Sequence, residues 1–124
     1  MKKKRPVNLD LWTIKFPLIA IASILHRISG FIIFLLLPLL LWILQLSLDS
    51  AAGFAAIGKY LQQPILKFII WVSTAAMMYH FFAGIRHLMA DIGVAETVSS
   101  ARFAVIIVFV LTIIFLVVAG WWLW

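Results

Sequence analysis

The chain has no cysteine among its 124 residues. Disulfides, iron–sulfur ligation and thiolate ligation of iron are therefore excluded within it. Acidic residues are almost as scarce. Asp10, Asp49, Asp91 and Glu96 are the full set, and none stands in the middle of an apolar run. A carboxylate relay across a membrane has no residues to use. Charged residues make up only 11% of the chain and hydrophobic ones 66%. Few soluble domains have that balance, and long apolar stretches mean membrane spans. A span needs about 20 mostly apolar residues to cross a core of roughly 30 Å. Three runs qualify, at about 20–46, 64–90 and 103–124. The remainder is too short for a soluble domain, so soluble chemistry has to come from partners.

The fold class that follows is an all-α membrane protein with three transmembrane helices, 1–124 forming one membrane domain. Residues 1–19 read as a short arm. Its Lys2, Lys3, Lys4, Arg5 and Lys15 precede the first span, whereas the 47–63 connection carries only Lys59, offset by Asp49. Arg86 and Arg102 flank the connection after the second span. The positive-inside bias then puts the N-terminus in the cytoplasm and the C-terminus outside. Lys67 opposes the bias but lies near a helix end, where it can snorkel. A basic tail beside a span suits topology and anionic lipid rather than nucleic acid. The first apolar run starts late, is long and lacks a small-residue cleavage site, so it reads as a retained span, not a signal peptide.

Punctuation refines this picture. Arg5-Pro6 and Phe16-Pro17 break regular structure. Asn8 or Asp10 can cap a short interfacial turn carrying Leu9, Leu11, Trp12 and Ile14. Pro38 predicts a kink inside the first span. Asp49, Ser50 and Gly53 mark a connection with room for a short helix before Pro64, which suits a first helical turn. Gly93 helps end the second span. Trp121, Trp122 and Trp124 fit an interfacial aromatic belt. There is no internal repeat, and three spans cannot form an inverted pair.

Ionisable residues inside spans are costly and usually functional. The first span begins SILHRISG, with Ser23 and Arg27 four apart on one face, His26 beside them and Gly30 leaving space. In the second, YHFFAGIRHLMAD sets His80, Gly84 and His87 at i, i+4 and i+7 on one stripe. Arg86 and Asp91 follow toward its end. Counted from the cytoplasmic side, Arg27 is about 10 Å deep and His80 about 15 Å. The two clusters therefore share one half of the bilayer and predict one site between the first two helices. A neutral imidazole there can ligate haem iron, with a glycine beside it making room for a macrocycle. Cations and a serine at shallower depth can pair with propionates, or hydrogen-bond a quinone carbonyl and stabilise its reduced charge.

Simpler roles exist for each residue. Arg27 can snorkel to phosphates, Ser23 can bond its own backbone, and His87 can sit at the interface against water. Gly30 and Gly84 can serve close helix packing alone, and Met77 and Met78 read first as packing. His80 is too deep to snorkel easily, which favours a ligand role. His80 and His87, about 10 Å apart on one face, cannot clamp one iron from opposite sides. His26 or a histidine from a partner could oppose His80, the partner being preferred because three helices leave much of the site uncovered.

These residues carry a resemblance. An SxxHRxSG start to the first span is met by Ser23, His26, Arg27, Ser29 and Gly30. A second pattern, HxxxGxRHLxxD, is met by His80, Gly84, Arg86, His87, Leu88 and Asp91. With the RPVNLDL of the arm and the three-span length, the chain resembles the cytochrome b556 subunit family of succinate dehydrogenase over nearly its whole length. The arm departs where many relatives carry SPH after the Arg-Pro pair and this chain reads VNLD. The resemblance implies half of a heterodimeric membrane anchor bundle in a bacterial cytoplasmic (inner) membrane. Its partners would be a second small membrane anchor subunit, an iron–sulfur subunit and a flavoprotein subunit. It implies haem b with His80 as axial ligand and the second ligand from the other anchor, and ubiquinone as substrate near Ser23 and Arg27. His26, Arg27 and His87 would lie near the haem propionates or the quinone. The chain would carry no flavin or dicarboxylate site. Other readings are a fumarate reductase anchor, a small three-span transporter or proton-conducting subunit, and a bare structural anchor.

Overall fold

The computed structural model describes residues 13–124. The readings placed on Arg5, Pro6, Asn8, Leu9, Asp10, Leu11 and Trp12 lie outside them. Four helices follow: α1 (Leu18–Asp49), α2 (Ala51–Tyr60), α3 (Pro64–Asp91) and α4 (Val98–Leu123). Among the described residues there is no strand. Helices α1, α3 and α4 are long and apolar enough to cross a membrane, and the chain is a multi-pass membrane protein. With 32 residues, α1 is about 48 Å long, well over the hydrocarbon thickness, and needs tilt or projection to fit.

Local chemistry sets the ends. Pro17 precedes α1 in extended geometry, and its carbonyl takes the amides of Ala20 and Ile21. The helix runs through Pro38 without a break, although that ring denies Phe34 its usual backbone donor. Ser50 is fully extended and stops α1; its hydroxyl then caps α2 by accepting the Gly53 amide at 3.0 Å. A Cβ on Gly53 would collide with the Leu46 carbonyl, so glycine there lets α2 fold tightly against the end of α1. Pro64 opens α3 in its first turn. At the other end Gly93 takes φ 84°. The Val94 amide reaches the Met89 carbonyl at 2.9 Å and the Gly93 amide reaches that of Ala90 at 3.0 Å. This pair of bonds is a Schellman motif. Helix α4 begins at Val98, earlier than hydropathy alone predicts, because Thr97 caps it through the Ser100 amide at 3.2 Å.

Helix α3 lies between α1 and α4, and α2 folds against α1. The core is thin. Tyr79 and Ala83 of α3 and Val108 of α4 are buried, with Phe82 and Phe109 packed on them. Ala22 and Ser29 are the buried residues of α1. Small side chains at these crossings let membrane helices approach closely. Most large apolar side chains point outward, Phe34 at 70% and Leu48 at 76% exposure, as expected where lipid and partners replace water.

Polar bonds close the end of the bundle away from the N-terminus. Lys67 Nζ donates to the Leu123 carbonyl at 2.8 Å, so it caps the last turn of α4 where snorkelling was expected. Trp71 Nε1 donates to the Leu116 carbonyl at 2.8 Å. The Trp71 indole lies over Gly120, where a Cβ would sit 3.2 Å from Nε1. Trp121 and Trp122 face outward as a belt would, whereas Trp124 meets Trp71 edge-on at 6.3 Å. Gly120→Leu will drive the indole off α4, and overpacking of this kind costs about 1–3 kcal/mol. The thermal midpoint in detergent, followed by circular dichroism, will fall accordingly.

Candidate functional site

One hydrogen bond sets the register of the first and third helices. The buried Tyr79 hydroxyl donates to the Ala22 carbonyl at 2.9 Å. One residue further along α3, His80 then falls opposite the Ser23–Gly30 stretch of α1. Its ring stacks on His26 with centroids 4.2 Å apart and planes 14° apart. His87, two turns later, meets the same His26 ring at 5.0 Å and 41°. All three histidines thus pack together between α1 and α3, near the end of the bundle where α1 begins. They do not converge as ligands of a bare metal ion among the described residues.

One glycine makes the stack fit. A Cβ on Gly30 would lie 2.9 Å from His80 Cε1, closer than real Cβ contacts come. Gly84 faces His26 from the other side, where a Cβ would sit 3.6 Å from Nε2, an ordinary contact. That Nε2 is buried and has no hydrogen-bond partner among the described residues. A buried polar atom without a partner is uncommon and asks for an explanation.

The hydrogen bonds around His80 determine which of its nitrogens carries the proton. Nδ1 lies 3.1 Å from the His26 carbonyl oxygen. A carbonyl only accepts, so Nδ1 bears the hydrogen, and in the neutral ring Nε2 keeps its lone pair. Ser29, 5% exposed, completes the arrangement. Its hydroxyl donates to the same His26 carbonyl at 2.8 Å, and its oxygen lies 3.2 Å from His80 Nδ1. Nε2 of His80 has no hydrogen-bond partner among the described residues, and the ring is only half-buried.

Ser23 and Arg27 occupy the neighbouring face of α1, Ser23 half-buried and Arg27 exposed. Ser47, Ser73, Thr74 and Thr112 each turn their hydroxyl to a carbonyl three or four residues back. Ser23 makes no such bond among the described residues, so its hydroxyl is left for another partner. Arg86 Nη2 lies 3.3 and 3.4 Å from the two ring nitrogens of His87. A cavity of about 410 Å³ opens on the other side of α3, against α4, walled by Phe82, Met89, Val108, Leu111 and the Arg86 side chain. It does not reach the histidines.

The expectation of one cluster between the first two spans therefore meets a structure in which His26, His80 and His87 touch, with Ser23 and Arg27 alongside. The sequence reading assigned no role to Ser29 or to Tyr79. Tyr79 is committed to the α1 backbone. A tyrosine in a span needs a partner for its hydroxyl, and that need was the available signal.

Residues 1–119 match the family described as succinate dehydrogenase/fumarate reductase transmembrane subunit. The succinate dehydrogenase cytochrome b556 subunit of Coxiella burnetii is 44% identical over 125 residues, covering 100% of both chains. The protein of the same name from Paracoccus denitrificans is 33% identical over 99 residues, 79% of this chain and 75% of that one. That of Rickettsia typhi is 36% identical over 93 residues, 73% of this chain and 69% of its own.

Proposed function

The chain belongs to the succinate dehydrogenase/fumarate reductase transmembrane subunit family, and from that premise we propose that it anchors a succinate:quinone oxidoreductase in the bacterial cytoplasmic (inner) membrane. In this reading it helps bind haem b through His80 and contributes Ser23 and Arg27 to the site of ubiquinone reduction. It forms half of an anchor bundle with a second small membrane subunit. A flavoprotein and an iron–sulfur subunit dock on the cytoplasmic face and supply electrons from succinate. The basic N-terminus lies in the cytoplasm and the C-terminus in the periplasm, following the distribution of lysine and arginine.

The observation that carries the haem assignment is the bond from His80 Nδ1–H to the His26 carbonyl. Metal-ligating histidines characteristically donate their second ring N–H to a carbonyl or carboxylate, which orients the ring and raises its basicity. The rest of the donor set fits a b-type haem. Gly30 relieves crowding around the His80 imidazole, and the His26 Nε2, without a partner among the described residues, is suited to a propionate oxygen. His26 would not share the iron with His80 as these rings stand. Rings stacked at 4.2 Å leave no space for an iron between them. A histidine of the second anchor subunit is the better candidate.

Bound haem supplies a one-electron redox centre at this depth. The chain's own residues do the rest. His80 holds the group in place. The Arg27 guanidinium offers donors and fixed positive charge to a quinone oxygen as negative charge develops on it. The Ser23 hydroxyl, free of its own backbone, offers a second donor. His26 and His87 can hold or release protons beside this face. Tyr79 is unsuited to protonating a quinone because its hydroxyl is already donated to Ala22, so any tyrosine in that role comes from a partner. A fumarate reductase anchor remains the second reading, since family and geometry are shared and cofactor potentials decide the direction. The full-length family match favours both over a small transporter.

A dithionite-reduced minus oxidised spectrum of the complex, purified with its native partners, will show a sharp b-type α-band. A flat spectrum from an intact complex that oxidises succinate would remove the haem and leave only the anchor.

A further inference from the structure

Ser47, Ser73, Thr74 and Thr112 share one habit, a hydroxyl donated back to a carbonyl three or four residues earlier. Ser29 follows the habit and does one thing more. After its proton goes to the His26 carbonyl at 2.8 Å, its oxygen retains lone pairs 3.2 Å from His80 Nδ1. That nitrogen must carry hydrogen, because it also lies 3.1 Å from the His26 carbonyl, which cannot donate. A single N–H is thus shared between two acceptors, one backbone and one side chain. Ser29 is buried, so water does not compete for the position. Gly30, next along the chain, lets the imidazole come close enough for the bond to form.

We propose that Ser29 is a positioning residue for His80, acting through Nδ1 to fix the ring's orientation and tautomer and to strengthen the lone pair at Nε2. The inference rests on the assignment of His80 as a haem ligand and deepens it. The physical basis is polarisation along the ring. An acceptor at Nδ1–H pushes electron density toward Nε2, and a more basic imidazole favours the higher oxidation state of a metal bound to it. Losing the Ser29 acceptor weakens that donation, so the midpoint potential rises. The backbone carbonyl remains, so the effect is a shift in potential and not loss of the haem.

The experiment is optical redox titration of the α-band in the whole complex, comparing the parent with Ser29→Thr, Ser29→Cys and Ser29→Ala. Threonine retains the hydroxyl. Cysteine retains nearly the volume but is a weak acceptor, which separates hydrogen bonding from packing. The expected order of midpoint potentials is parent and Thr together, then Cys, then Ala highest. Haem absent from Ala alone, but kept by Thr and Cys with Cys shifted upward, also supports the proposal. Parental potentials in Cys and Ala at full haem occupancy overturn it. So does a shift in Thr as large as in Ala, or loss of haem from all three, which would mark a packing position. His80→Ala in the same series separates the two levels. If it keeps its haem, the ligand assignment fails. If it loses haem while Cys and Ala keep the parental potential, only the role of Ser29 fails.

Discussion

His80→Ala will abolish the b-type α-band while leaving assembly with the soluble subunits and succinate oxidation by an artificial acceptor in place. Alanine removes the one imidazole in this cluster whose tautomer is set for ligation by a neighbouring carbonyl, at 3.1 Å. No neighbour is placed to take over. His26 lies flat against the space the ring leaves, with its unpartnered nitrogen at the Gly84 side. His87 is held against Arg86. Alanine is also compatible with the fold, because His80 is only half-buried and the His26 carbonyl it leaves keeps the Ser29 hydroxyl as a donor. Haem content per flavin, from pyridine haemochrome and flavin assays, should fall close to zero. Undiminished haem with an unshifted potential would refute the assignment.

Arg27→Ala will separate two activities that the intact complex couples. Quinone reduction falls by at least about tenfold, while succinate oxidation through a soluble artificial acceptor is unchanged. Loss of one preorganised donor at a site of developing charge costs about 10²–10³ in rate when the site is dry. Arg27 is exposed at the flank of α1 in this chain, so partners must cover it before the larger figure applies. Ser23→Ala should act in the same direction and more weakly, since it removes a neutral donor. Paired assays on one preparation decide the matter. Equal loss in both would indicate failed assembly and not a quinone contact.

The three membrane helices were legible from composition because nothing soluble could use runs so apolar. Their ends were legible where a residue had a stereochemical reason to be there, as with Pro64 and Gly93. The start of α4 was not, because Thr97 and Ser100 look like ordinary loop residues until their mutual capping is seen. Depth arithmetic on Arg27 and His80 was enough to foresee one shared polar cluster, since helix rise is fixed. It could not foresee that His26 would stack on His80, because ring orientation depends on the Tyr79–Ala22 bond that sets the register. Lys67 shows the same limit. Snorkelling is a statement about one helix, whereas its bond to Leu123 needs the end of another. Ser29 stood in the SILHRISG stretch without a role because a serine's usual fate in a span is to bond itself, which it also does.

The thinness of the core bears on the life of the chain before it finds its partners. A solitary copy carries a buried imidazole nitrogen with no partner among the described residues, an arginine on an open flank and broad uncovered apolar faces. In hydrocarbon the first two are penalised, and lipid gains nothing by covering the third. In the proposed complex a partner on this face would relieve both penalties, so the chain is expected to be less stable alone than assembled, which its lifetime in the membrane with and without co-expressed partners will test.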